Sequence, residues 1–192
     1  MEKVLKPYVK NIYSFMNYIV LIYLIIKSIT MPITVDEAYT FLNYVYVKDL
    51  FNLSIANNHL LNTLLISLTT TFSNYEFFIR IPNIIFAFLY FYLANKLIIY
   101  SKNSFFAFCT FLMFPYVLEF FAHARGYGIV FTLNFCGLYY FINNSRNKLK
   151  NYVVTSLFFY LGAISLSYNL IGISTLFVFF VQKNKSGLND IK

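Results

Sequence analysis

Acidic side chains are scarce in this 192-residue chain: there are seven, and charged residues of both signs make up only 11%. A soluble domain carries roughly 25% charged residues, so an ordinary soluble globular fold is excluded. Tryptophan is absent while Asn, Ile, Phe, Tyr and Lys are abundant; this is a compositional bias of the source genome and carries no functional information. Only two cysteines occur, Cys109 and Cys136, each inside an apolar block. That placement suits small core residues and argues against a disulfide scaffold or a zinc site. No glycine-rich phosphate loop is present, which removes a nucleotide site of the usual cytoplasmic kind. Internal repeats and low-complexity linkers are missing as well.

What the chain has in excess is apolar surface, 59% of residues, set in long blocks rather than amphipathic stripes. Five blocks read as spans: Ile12–Ile29, Ile81–Tyr100, Phe105–Phe121, Tyr127–Ile142 and Tyr152–Ser167, followed by a shorter run at Leu170–Val181. A crossing helix needs roughly 17–25 apolar residues. The later blocks are marginal and the final run is under length, so tilt or local thinning of the bilayer has to accommodate them. The first block lacks a small-residue cleavage site and is followed by others, so it reads as a retained helix and not a signal peptide. The expectation is an all-α, polytopic membrane protein of five to six transmembrane helices. Residues 1–182 form the membrane domain, and 183–192 a polar cytoplasmic tail.

Basic residues set the orientation. Lys3, Lys6, Lys10, Lys96, Lys102, Arg146, Lys148, Lys150, Lys183 and Lys185 fall on one side if every span crosses. The other side holds Lys27, Lys48, Arg80 and Arg125 with Asp36, Glu37, Asp49, Glu76 and Glu119. The positive-inside rule then places both termini in the cytoplasm of a plasma (inner) membrane protein. The net charge of +8 is a topology signal and not a nucleic-acid footprint.

The long first outer loop, residues 31–79, is patterned. Leu60, Leu61, Leu64, Leu65, Leu68 and Phe72 share one helical side, and Asn62, Thr63, Ser67, Thr69 and Thr70 the other. This suits an interfacial helix with its apolar face toward the acyl chains. A second short helix is expected over Ala38–Phe51.

Polar residues gather on the same outer face. In "TVDEAYTF" the adjacent Asp36 and Glu37 admit two readings. One is helix capping, which needs a single acid or Thr34. The other is a general base with a neighbour that orients it or holds a metal. "ANNHLLN" brings Asn57, Asn58 and His59 to the start of the interfacial helix, either as structural groups or as an anion site. In "YEFFIRIPN", Arg80 is a snorkelling anchor or a cation for a lipid phosphate. Pro82 is expected in the first helical turn, where its missing amide costs nothing. In "LEFFAHARGYG", Glu119 and His123 stand one helical turn apart, a spacing that suits a shared divalent metal or a structural pair. Arg125, beside Gly126 and Tyr127, can present a guanidinium fork to phosphate. Tyr168 and Asn169 add a weaker polar pair in the last outer turn. Such convergence implies a reaction at the outer interface on a lipid-linked anion. A small transporter would instead carry ionisable groups at mid-bilayer, and these spans have almost none.

The order of these motifs resembles the C-type membrane glycosyltransferases that use polyprenyl-phosphate sugars, the group containing protein O-mannosyltransferases and lipid A aminoarabinose transferases. The likeness lies in an acidic motif after the first span (Asp36-Glu37), a His-containing stretch opening a juxtamembrane helix ("NNHLLNTLL"), "RIPN" at Arg80–Asn83, "ARGYG", and the Ser-Tyr of "SLSYN". The resemblance implies an inverting transfer from a polyprenyl-phosphate sugar to the hydroxyl of an acceptor glycan, lipid or protein. Asp36 would be the base, with Glu37 beside it. Asn58, His59, Arg80, Arg125 and Tyr127 would lie at the donor, and a divalent metal at Glu119 and His123 would be a further cation for the leaving phosphate. Two departures stand out. Leu60 and Leu61 replace the doubled proline that follows the histidine in the family, and the chain is about half the family's usual length. The second implies either a partner membrane subunit that completes the lipid cavity, or a truncated and non-catalytic copy.

Overall fold

The computed structural model describes residues 2–49, 59–100, 103–143 and 148–165. Among these residues every regular element is helical: α1 (Glu2–Thr30), α2 (Val35–Thr40), a turn of π-helix (Phe41–Tyr46), α3 (Leu60–Thr70), α4 (Glu76–Tyr100), α5 (Ser104–Leu112), α6 (Pro115–Ala122), α7 (Tyr127–Asn143) and α8 (Lys148–Ser165). Three stretches are long and apolar enough to cross a membrane: Asn11–Thr30, Glu76–Ile99 and the α5–α6 pair over Ser104–Ala122. The apolar parts of α7 and α8, Tyr127–Phe141 and Val153–Ser165, are shorter. The run Leu170–Val181 and the tail 183–192 lie outside the described residues.

The core forms where α1 meets α4, α5 and α6. Val20, Leu21 and Leu24 pack with Ala87, Phe91, Ala94 and Ile98, and with Leu112, Phe121 and Ala122. Tyr90 is at its centre, with the rings of Phe91, Phe121, Phe131 and Phe135 at centroid distances of 5.4, 5.3, 5.2 and 4.8 Å. Polar staples tie the helices where no hydrophobic force separates protein from lipid. Asn17 Nδ2 donates to the Phe91 carbonyl at 3.2 Å, and Asn95 Nδ2 to Ser14 Oγ at 3.0 Å. On the outer side of α1, Ile12, Phe15, Tyr18, Ile22, Ile26 and Ile29 are exposed, an apolar stripe that suits lipid.

Two prolines shape the helices in the same way. The sequence reading puts Pro82 in a first turn, but α4 starts at Glu76 and Pro82 lies inside it. The third block, read as one helix, breaks at Met113–Phe114, and Pro115 opens α6 with Phe114 extended at φ −69°, ψ 119°. Each proline removes the N–H that the carbonyl four residues earlier would accept. Both freed carbonyls find a hydroxyl on another helix: Thr69 Oγ1 donates to Phe78 O at 2.7 Å, and Tyr90 Oη to Phe111 O at 2.9 Å. Neighbouring helices commonly repair proline breaks in this manner.

The stretch between α1 and α4 also departs from expectation. Helix starts at Val35 rather than Ala38, because Thr34 and Glu37 form a reciprocal capping box, and it passes into the π turn before Lys48 takes a left-handed φ of +61°. In α3 the polar side faces the protein: Asn62 and Thr63 are fully buried while Leu68 is exposed. An interfacial helix with its polar face toward water would instead leave Asn62 and Thr63 open. Here the polar side chains serve inward hydrogen bonds.

Candidate functional site: a buried charge knot beneath an exposed ion pair

Capping fixes where Glu37 points. Thr34 accepts from the Glu37 amide at 3.4 Å, and Glu37 Oε2 accepts from the Thr34 amide at 2.8 Å. The rest of the carboxylate turns inward to Arg80, on the buried side of α4. Arg80 Nε donates to Oε1 at 2.9 Å and Nη2 to Oε2 at 2.8 Å. Oε1 also accepts from the Ala124 amide at 2.7 Å. A carboxylate offers about four acceptor positions, and all are taken. Burial pushes the Glu37 carboxyl up, but the Arg80 hydrogen bonds, the amides of Ala124 and Thr34 and the guanidinium charge outweigh it and hold the group at about 2.

Arg80 is spent equally. Its remaining donors reach three carbonyls at the end of α1: Nη1 to Ser28 at 2.8 Å and Met31 at 2.7 Å, and Nη2 to Pro32 at 2.9 Å. A guanidinium has five N–H donors, and each has an internal acceptor. The side chain is therefore neither a snorkelling anchor nor a free cation for a lipid phosphate. It joins α1, α2 and α4.

The chain between α6 and α7 closes over this knot. Asn62 Nδ2 donates to the Ala124 carbonyl at 2.8 Å, and Asn83 Nδ2 approaches Asn62 Oδ1 at 3.4 Å. Gly126 has φ +78°, and a Cβ there would lie 3.1 Å from Asn62 Cβ and 3.2 Å from His59 Cβ. At Gly128 a Cβ would come within 2.7 Å of both the Phe120 carbonyl and the Phe121 ring. The two glycines of "ARGYG" thus answer to close packing.

Outside the knot, Arg125 Nη2 meets Asp36 Oδ2 at 2.9 Å, with both side chains about half-exposed. The adjacent acids therefore part company: Glu37 is enclosed, and Asp36 faces out with Oδ1 bonded to no described residue. His59, at the N-terminus of α3, packs a tilted ring against Tyr127 at a centroid distance of 5.5 Å, and Tyr127 lies against Phe120 at 5.5 Å. Burial lowers the His59 pKa, partly offset by a hydrogen bond to the Ser165 backbone and by the Asp36 charge, so the neutral imidazole is favoured. Asn57, Asn58, Tyr168 and Asn169 lie outside the described residues.

Glu119 and His123 do meet, through Nε2 and Oε2 at 3.2 Å. The other Glu119 oxygen accepts from the Lys27 ammonium of α1. No group of three or more His, Cys, Asp and Glu gathers among the described residues in a way that would hold a metal. With a lysine already on one oxygen, the pair fits an ion-pair relay between α1 and the α6–α7 turn better than a divalent site.

Most predicted residues thus belong to one cluster. Lys27, Asn62 and Asn83 join it without having been expected among the site residues. The spacing Thr34-x-x-Glu37 is a capping-box signature and marks Glu37 as a helix-start residue. Nothing comparable marks Lys27 or Asn62. Compared with known protein families, curated proteins and solved structures, the chain matches none.

Proposed function

We propose that the chain transfers a sugar from a polyprenyl phosphate to an acceptor hydroxyl at the outer face of the plasma membrane, with inversion. In this reading five to six helices cross, both termini are cytoplasmic and α3 lies in the interface. The observation that carries it is the exposed Asp36–Arg125 pair, seated on a knot that uses up its own charges. Arg125 holds one Asp36 oxygen and orients the other. That oxygen takes the proton of the acceptor hydroxyl as the hydroxyl oxygen bonds to the anomeric carbon. The bond from that carbon to phosphate oxygen breaks, and the lipid phosphate leaves with the electron pair near the Arg125 guanidinium. A phosphate leaves as an anion, so the site needs no general acid on that side. Asp36→Asn should abolish transfer in membranes supplied with labelled polyprenyl-phosphate sugars while the protein accumulates normally. Undiminished transfer by that variant removes the assignment.

The saturation of Glu37 and Arg80 within the fold favours a second reading, a non-catalytic membrane subunit that keeps the scaffold. Reconstituted alone in proteoliposomes, such a chain transfers nothing, and it co-purifies with a second membrane protein that does.

A further inference from the structure

The Ala124 peptide is gripped from both ends. Its N–H donates to Glu37 Oε1 and its carbonyl accepts from Asn62 Nδ2, at 2.7 and 2.8 Å. Both gripping side chains are fully buried, and they come from different elements, α2 and α3. Ala124 lies in the irregular stretch between α6 and α7, where no helix supplies partners for its backbone. Two residues on, the chain turns through the left-handed Gly126, which packs on His59 and Asn62 of α3. Arg125 stands between the held peptide and this turn. Its direction of exit is set by the backbone on either side, and its guanidinium arrives 2.9 Å from Asp36.

We infer that Asn62 is a positioning residue: by holding the Ala124 carbonyl, it aims Arg125 at Asp36 and makes the exposed pair depend on the seating of α3. Glu37 does the same from the opposite side, so the acid next to Asp36 in sequence also secures Asp36's partner. The consequence for turnover rests on the glycosyl-transfer reading; the grip itself does not.

Trypsin cleavage after Arg125 in the purified full-length chain reads the grip directly. Asn62→Leu keeps the branched outline of the side chain and removes the donor. Loss of one buried hydrogen bond raises local opening about tenfold, so cleavage after Arg125 rises by about that factor relative to cleavage after the exposed Lys48. Thr70→Val, on the same helix and bonded only to the Ile66 and Ser67 carbonyls, leaves the ratio unchanged. Equal ratios for wild type and Asn62→Leu, with unaltered melting, overturn the proposal. If Asn62→Leu does not accumulate, the isosteric Asn62→Asp serves: cleavage after Arg125 climbs with pH as the carboxylate forms against the Ala124 carbonyl, and a response no different from wild type overturns the proposal. In the transfer assay, Asn62→Leu lowers kcat with little change in KM and adds nothing to Arg125→Ala, whereas additive losses count against it. Should wild type transfer no sugar, the enzymatic reading falls, and should Asp36→Asn transfer as well as wild type, the assignment of Asp36 as base falls; in either case the trypsin ratio still decides the grip.

Discussion

Glu37 and Arg80 meet in a two-point ion pair, at 2.9 and 2.8 Å, in which neither partner keeps a free hydrogen-bonding position. They are 43 residues apart in sequence and both are shut off from solvent. A buried pair is weak evidence of net stabilisation over an apolar substitute, but breaking one strands a charge. The pair therefore acts as a keystone whose halves are not separately dispensable.

Removing one half is expected to cost about 3–5 kcal/mol. Glu37→Gln and Arg80→Ala should each lose most folded protein on size exclusion in detergent. Glu37→Leu combined with Arg80→Met recovers only part, since the Ser28, Met31 and Pro32 carbonyls and the Ala124 amide stay unfilled. Asp36→Asn and Arg125→Ala, at the half-exposed pair, should shift stability by less than about 1 kcal/mol. A melt in which Asp36→Asn is as damaging as Glu37→Gln would contradict this division.

Acid should weaken the fold over a defined window. The Glu37 carboxyl is held at about 2, against 4.5 for an ordinary glutamate. Below 4.5 the unfolded chain takes up a proton that the folded chain refuses until about 2. The contribution is thus complete above that window and is lost as pH falls through it, a loss of about 3 kcal/mol by the acid end. Denaturation midpoints of the wild-type chain measured between pH 5 and pH 2 check the slope, and a flat profile across that window would contradict it.

Thr69 and Pro82 should be coupled. Thr69→Val leaves Phe78 O without the hydroxyl that replaces Pro82's missing amide and should cost about 1–2 kcal/mol. In Pro82→Ala the new N–H closes onto Phe78 O, so Thr69→Val becomes nearly silent in that background. A double-mutant cycle without coupling would mean the hydroxyl does no such repair.

Gly128→Ala should be the most damaging glycine-to-alanine change among those near the site. Its Cβ would meet the Phe120 backbone carbonyl and the Phe121 ring at 2.7 Å, and backbone cannot step aside. The loss should be about 1–3 kcal/mol. Gly137→Ala, whose nearest contacts are the Phe159 ring at 3.3 Å, should be milder. Thermal melting of the two variants side by side separates them.

Much was legible along the chain because it depends on local composition alone. Transfer of a segment into an apolar medium sums over its own residues, so Asn11–Thr30 and Glu76–Ile99 declare themselves without reference to neighbours. Thr34 and Glu37 likewise state a helix start by their spacing. What no local reading could decide is which polar groups are already spent. Asp36 and Glu37 look alike in sequence; one lies open and the other is enclosed only because Arg80 and Ala124 arrive from 43 and 87 residues away. The inward turn of Asn62 follows from the same cause, since a buried carbonyl must be satisfied by whichever side chain packing brings to it. Composition decided where the chain can lie, and three-dimensional packing decided which of its few charges are left to act.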